Sequence, residues 1–370
     1  MVVRAAAVLG LVWFGDALIY VVMPLHAGAF GISLGLVGVV LSVNRIVRIL
    51  GYGWVTSLSR RFGLRTITAS AALGAALSTL GYGLFLGLLP LLVARLVWGM
   101  AYGVLNVTTT AYAIGDGRQT GRRVGLNRAV STIGPTLALS GGAWLALELG
   151  PRGVFVALGV LGLLAVPLAL TLPRELAAGA HEVDRPRTTR WRPSTLNVLF
   201  FANSVIDGAF TTTLSLLFAG SLSVGSALLA AGLLLALQRL AIVLLSLVGG
   251  ALIDRIGAAR LLTPCVGVVV LGLLGIAHGL LYPAAVAVVI ARALLSVTGP
   301  VLASTERGGS TVERLAAFAT WVDCGAAVGP LLGGFAVARL GLPVLYVVLA
   351  TSLALALVLY LTARPRRAAP

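Results

Sequence analysis

Apolar stretches of about 20 residues follow one another along the whole chain, and they constrain its fold more than any other feature. A helix of that length can cross the ~30 Å hydrocarbon core of a bilayer. Because the backbone finds no water there, only helices and closed β-barrels span a membrane. These stretches lack the period-2 alternation of barrel strands. The sequence therefore predicts an all-α membrane protein.

The apolar stretches predict twelve transmembrane helices in two pseudo-symmetric six-helix bundles. We expect residues 1–173 to form the N-terminal bundle and residues 195–370 the C-terminal bundle. The polar, arginine-rich segment 174–194 is the predicted cytoplasmic linker between them. The predicted spans are 5–27, 34–57, 66–87, 90–114, 124–147, 153–173, 195–219, 225–252, 261–281, 283–305, 315–338 and 343–363.

The net charge of +16 is distributed unevenly along the chain. Every basic residue is an arginine, and most of the arginines outside the spans lie in one set of alternate loops and in the linker. Arg152 and Arg339 are the exceptions, in the other set of loops. Because positive charge accumulates on the cytoplasmic side of membrane proteins, we expect both termini in the cytoplasm and the protein in the cytoplasmic (inner) membrane. This distribution also argues against a nucleic-acid partner.

Residues of the first half recur roughly 190–200 positions later in the second half. Since each half has an even number of predicted spans, the two halves have the same orientation and form a parallel repeat, as in some secondary transporters. The recurring residues are Asp16 and Asp207, Arg45 and Arg239, Arg61 and Arg255, Gly63 and Gly257, Arg95 and Arg292, and Gly134-Pro135 and Gly329-Pro330.

Several motifs resemble those of the major facilitator superfamily. Segment 250–257 matches the loop pattern G-x-L-x-D-R-x-G, although in its first-half copy Arg60 stands where Asp is expected. Segment 95–99 is similar to the R-x-x-Q-G motif of proton-coupled members, with Trp98 in place of Gln. Segment 325–334 resembles the antiporter motif G-x-x-x-G-P-x-x-G-G, which members usually carry in their fifth helix.

This resemblance implies the fold and the moving parts of that superfamily. It implies a cavity lined by the first, fourth, seventh and tenth helices, and conformational gating by the loop motif and the glycine motif. The residues to which it assigns gating are Arg61, Gly63, Asp254, Arg255, Gly257, Arg260, Gly329 and Pro330.

Three aspartates and six arginines lie inside predicted spans, where a central charge costs about 2.5–3.5 kcal/mol on insertion scales. Arginine stays protonated at physiological pH and the chain has no lysine, so the predicted proton carriers are Asp16, Asp207 and Asp323. Helical spacing aligns further polar residues with these charges. The predicted substrate-binding set is Arg45, Arg48, Arg95, Tyr20, Tyr102, Asn106, Asn203, Arg239 and Arg292. An alternative is that the charges form ion pairs that fix helix packing.

The excess of buried arginine over aspartate favours an anionic or zwitterionic solute. We predict a secondary active transporter, not an enzyme, that moves a small organic solute by alternating access with proton coupling. Export by antiport is favoured over import by proton symport, which is the alternative. A membrane-embedded hydrolase is more remote, because Ser140 has no evident histidine partner. We expect a monomer in the bilayer, with protons and a small molecule as its partners and no cofactor.

Overall fold

A computed structural model describes residues 1–115, 119–174, 192–219 and 224–363. Within these ranges the chain is helical and contains no strand, so the all-α prediction is confirmed. Most of the predicted linker, residues 175–191, lies outside the described residues. The α-helices are α1 Val2–Leu25, α2 Leu34–Phe62, α3 Leu64–Leu84, α4 Leu88–Ile114, α5 Thr120–Leu163, α6 Ala165–Leu170, α7 Thr195–Ala219, α8 Val224–Ile256, α9 Ala258–Ala277, α10 Leu281–Ser304, α11 Thr311–Leu340 and α12 Leu342–Thr362.

Helix α5 contains two helical stretches that meet at Gly150, inside the predicted boundary between the fifth and sixth spans. Gly150 interrupts it with φ 76° and ψ 163°, a conformation that favours glycine. Pro151 follows at the start of the next helical stretch, where its missing N–H is tolerated. The predicted fifth and sixth spans are therefore two helices on either side of a kink, the second completed by α6. With this division, the twelve predicted helices are confirmed.

Ten helical segments in the described ranges are long and apolar enough to cross a membrane by length and composition. Helix α7 and the first part of α5 are not among them, and their polar side chains explain why. Asn203 and Asp207 lower the hydropathy of α7, and Arg122, Arg123 and Arg128 lower that of α5. The two least apolar segments thus include one that carries a predicted proton carrier.

Two compact units make up the fold. The first comprises Met1–Thr188 with Arg307–Ala316, and the second comprises Thr189–Glu306 with Ala317–Pro370. The beginning of α11 therefore groups with the first unit, although the rest of that helix belongs to the second. The bundle boundaries stay a prediction, since the linker is largely outside the described residues.

Glycines allow one pair of helices in each unit to pack with their backbones in contact. In the first unit, a Cβ atom on Gly134 of α5 would lie 2.1 Å from the carbonyl oxygen of Gly10 on α1. In the second, a Cβ atom on Gly329 of α11 would lie 2.4 Å from the carbonyl oxygen of Val205 on α7. Only a residue without a side chain permits such an approach. The repeated Gly-Pro pair therefore marks the same kind of helix contact in both units.

Candidate functional site

An ion pair joins α1 to α4 inside the first unit. Nη1 of Arg95 donates to Oδ1 of Asp16, which lies near the middle of α1. Only 6% of the Asp16 side chain and none of the Arg95 side chain is exposed. Because a buried charge is costly unless it is paired and hydrogen-bonded, each of these residues depends on the other.

Every nitrogen of the Arg95 guanidinium group has an acceptor. Nε donates to the carbonyl oxygen of Val40 and Nη2 to that of Leu41, both on α2 and both at 3.3 Å. The hydroxyl of Tyr20 on α1 accepts from Nη2 at 2.9 Å, and the hydroxyl of Tyr82 on α3 accepts from Nη1 at 3.4 Å. Four helices, α1 to α4, therefore meet at this guanidinium group.

Aromatic rings extend this cluster along α4. Trp98 stacks on Tyr102 with ring centroids 5.0 Å apart, and Trp13 of α1 meets Tyr102 edge-on at 5.2 Å. The guanidinium carbon of Arg48 lies 4.7 Å from the centroid of the Tyr102 ring, within cation–π distance. The structure thus brings two predicted binding residues, Arg48 and Tyr102, into contact.

The second unit repeats the ion pair between α7 and α10. Nη2 of Arg292 lies 2.8 Å from Oδ1 of Asp207, and Nη1 of Arg292 donates to the carbonyl oxygen of Asn203 at 2.9 Å. Nε2 of Gln238 on α8 donates to the same Asp207 oxygen at 3.2 Å. In each unit, therefore, the aspartate of the first helix pairs with the arginine of the fourth.

The two ion pairs differ in how open they are. The side chain of Asp207 is 40% exposed and that of Arg292 is 10% exposed. Nε of Arg292 is buried and has no acceptor among the residues that the structure describes. The second pair is therefore both more accessible and less completely hydrogen-bonded than the first.

The remaining predicted binding and proton-carrying residues lie on the expected helices but outside these two ion pairs. Arg45 on α2, Arg239 on α8 and Asn106 on α4 are half-buried. Asp323 on α11 is buried. Asn203 contributes its backbone carbonyl to the second pair, while its side-chain oxygen is buried without a hydrogen-bond partner in the described ranges. Their roles in binding and coupling stay predictions.

The predicted gating residues of the loop motif lie at two matching turns. Gly63 separates α2 from α3 with φ 78°, and Gly257 separates α8 from α9 with φ 88°. Both values fall in the left-handed region that favours glycine, which explains why the motif ends on this residue. The other predicted gating residues at these turns are exposed, and they are Arg61, Asp254, Arg255 and Arg260.

Two partners of the ion pairs, Tyr82 and Gln238, were not predicted from the sequence. A further ion pair in the first unit, between Arg60 and Glu313, was not predicted either. Glu313 caps α11 as well, since its carboxylate accepts from the backbone N–H of Ser310 at 2.9 Å. The Ser-x-x-Glu spacing is a capping-box signal that could have revealed this role. No local signal shows which face of α3 meets α4, so Tyr82 could not be found in that way.

A family model described as Major Facilitator Superfamily matches residues 5–308. The chain belongs to this family. The superfamily resemblance of the motifs is thereby confirmed, and the protein is a transporter and not an enzyme. No curated protein matches the chain.

Solved structures of transporters share the fold over nearly their whole length. The human organic anion transporter MFSD10 (TETRAN) has 18% identity and a TM-score of 0.75, with 97% of this chain and 98% of that chain covered. The proton:xylose symporter XylE has 17% identity and a TM-score of 0.77, with 98% and 95% covered. The E. coli fucose:proton symporter FucP has 15% identity and a TM-score of 0.74, with 98% of each chain covered.

Proposed function

We propose that this transporter moves a small organic anion or zwitterion across the cytoplasmic membrane by alternating access, coupled to protons. The single observation that carries the proposal is the buried Asp–Arg pair at the centre of one unit and its repetition in the other. Charges at such depth are expensive in a membrane and usually mark a transport pathway or a proton relay.

The carboxylates are the members of these pairs that can change charge. An arginine side chain keeps its proton at any physiological pH, whereas an aspartate can be neutral or ionised. A carboxylate whose contact with arginine opens and closes takes up a proton more readily in one state than in the other. Asp16, Asp207 and Asp323 are therefore the proposed proton carriers.

The balance of charge supports a substrate that carries a negative group. Six arginines but three aspartates lie within the predicted membrane spans. An arginine fork binds a carboxylate or phosphate through two hydrogen bonds and stays cationic when water is removed. The structural neighbours do not identify the substrate, since they include one organic anion transporter and two sugar symporters.

Two modes of coupling are candidates. The resemblance of segment 325–334 to the antiporter motif favours export by exchange for protons. Symport is the alternative, and it is favoured by the pairing of an accessible carboxylate with an arginine in the second unit.

Flux into proteoliposomes with an imposed pH gradient tests this function. The solutes are benzoate, lactate, alanine, the cation tetraphenylphosphonium and the neutral amide benzamide. We expect the gradient to drive movement of the anions or the zwitterion through the protein. Movement only of the cation or the amide would contradict the proposed substrate charge, and absence of any gradient effect would contradict proton coupling. Solute that moves in the same direction as the protons indicates symport, and solute that moves in the opposite direction indicates antiport.

A further inference from the structure

We propose that Asp207 is a resident counter-ion that a substrate carboxylate displaces from Arg292, and that the displaced Asp207 takes up the coupled proton. The Asp16–Arg95 pair does not exchange in this way. It is a buried ion pair that holds α1 to α4 in position. This inference rests on the proposed function and assigns its central step to one of the two pairs.

The hydrogen bonds of Arg292 leave one of its donors without an acceptor in the described part of the chain. Arg95 has an acceptor for each nitrogen, whereas Nε of Arg292 has none among the described residues although the side chain is nine-tenths buried. A buried donor without a partner is unfavourable, and a ligand oxygen would satisfy it. Nε and Nη2 form the edge on which an incoming carboxylate can bind bidentately. Binding there takes over the nitrogen that now pairs with Asp207.

The contacts of Asp207 also allow it to be displaced from Arg292. Its ion-pair partner Arg292 and its hydrogen-bond partner Gln238 both contact Oδ1, and Oδ2 has no protein donor within the described ranges. With 40% of its side chain exposed, Asp207 can exchange a proton with water. Asp16 cannot do so in this conformation, because its side chain is almost fully enclosed.

The sequence explains why the two pairs differ. Tyr20 and Tyr82 hold the guanidinium group of Arg95 from α1 and α3. At the positions that the repeat places opposite them, the second half has Thr211 and Ile276. Thr211 is too short to reach as a tyrosine does, and Ile276 has no hydroxyl to offer. Arg292 therefore lacks two acceptors that Arg95 has, and its ion pair is more exposed to water.

Charge balance requires a proton when an anion binds. In the empty state the carboxylate of Asp207 neutralises Arg292. A bound substrate carboxylate adds a second negative charge, and an unneutralised charge in this low-dielectric setting is costly. One proton on Asp207 restores neutrality, so that the loaded state holds the anion, the Arg292 cation and a neutral Asp207.

Other charged or titratable groups lie on the helices packed against α7. They do not substitute for Asp207 in the exchange, because Asp207 is the carboxylate in direct contact with Arg292. The charged or titratable groups on those helices are Arg239, Asp254 and Arg255 on α8, Tyr282 and Arg292 on α10, Glu313, Arg314, Asp323, Cys324 and Arg339 on α11, and Tyr346 and Tyr360 on α12.

Proton uptake on binding tests the exchange. The protein in lipid nanodiscs, in weakly buffered solution with a pH dye, is mixed with benzoate, lactate or acetate, and with benzamide as the neutral control. We expect about one proton to be taken up per anion bound, and an apparent Kd that falls by up to about tenfold for each unit of falling pH. The variant Asp207→Asn should take up none, lose the pH dependence and bind about tenfold more tightly at pH 8. Glu148→Gln, which removes an exposed carboxylate of α5, is the matched control and should behave as wild type.

A second measurement needs neither a variant nor a substrate. A water-soluble carbodiimide with an added amine converts accessible protonated carboxyl groups to amides, which mass spectrometry locates. Asp207 should be modified many times faster than Asp16. Equal modification, or proton uptake that survives in Asp207→Asn, would overturn the exchange while leaving anion transport standing. If none of the three anions binds or moves, both the exchange and the proposed substrate class are wrong.

Discussion

Replacing Asp16 by asparagine should destabilise the protein far more than the same replacement at Asp207. Asparagine has nearly the same shape as aspartate, so the change removes the negative charge and little else. At Asp16 it leaves the guanidinium group of Arg95 fully buried without its counter-ion. At Asp207 it leaves Arg292 beside a partly exposed site that water can enter.

The expected magnitudes follow from this difference in burial. Removing one partner of a buried ion pair costs about 3–5 kcal/mol. The remaining acceptors on Arg95, which include the Tyr20 hydroxyl, place Asp16→Asn near the lower end, at about 3 kcal/mol. Because 40% of the Asp207 side chain is exposed, water can partly take its place beside Arg292, so Asp207→Asn should cost less than Asp16→Asn.

Denaturant unfolding of the purified protein in one detergent measures both variants under the same conditions. Replacing the first pair by apolar residues, as Asp16→Leu with Arg95→Met, should recover most of the loss, because no buried charge then remains. Equal destabilisation by Asp16→Asn and Asp207→Asn would show that burial does not distinguish the pairs. Failure of the double variant to recover stability would show that Arg95 is needed for its contacts with α2 and α3 rather than for its charge.

Three further predictions concern topology, charge selection and packing. A reporter fused after Pro370 should behave as cytoplasmic, and a periplasmic signal would contradict the orientation. Arg239→Lys should weaken binding of an anionic substrate by roughly 1–3 kcal/mol, since lysine keeps the charge but loses the fork; restored anion binding in Arg239→Ala with Asp207→Ala would show instead that the arginine served the aspartate. Gly134→Ala should lower the unfolding midpoint because its Cβ would meet the Gly10 backbone, whereas Gly141→Ala, with nothing within 4 Å, should not.

Much of the fold could be predicted because the bilayer restricts it so strongly. Span length and hydropathy lead to helices, and the two-half repeat leads to matching charges on corresponding helices. The repeat even anticipates that Asp207 and Arg292 stand where Asp16 and Arg95 do. The kink of α5 at Gly150 lies between the predicted fifth and sixth spans, where Gly150 and Pro151 indicate a break.

The difference between the two ion pairs could not be predicted from the sequence. It depends on which residues of neighbouring helices reach the arginine, and helical periodicity describes only one helix at a time. Tyr82 reaches Arg95 from α3, and Gln238 reaches Asp207 from α8. Neither contact leaves a mark in the local sequence of either partner. The sequence thus predicts two equivalent sites, whereas the packing makes one closed and one open.

The glycine motif of α11 and the ion pair of α7 bear differently on the mode of coupling. Gly325, Gly329 and Gly333 lie one helical turn apart, and a Cβ atom on any of them would come within 3.1 Å of the α7 backbone. Close packing of two helices therefore accounts for this spacing without reference to the direction of transport. The exchange at Arg292, in contrast, requires that the anion and the proton be bound at the same time, because the anion-loaded site is neutral only when Asp207 carries a proton. Two solutes that occupy one state together cross the membrane in the same direction, so we infer that the second unit is built for symport of an anion with a proton.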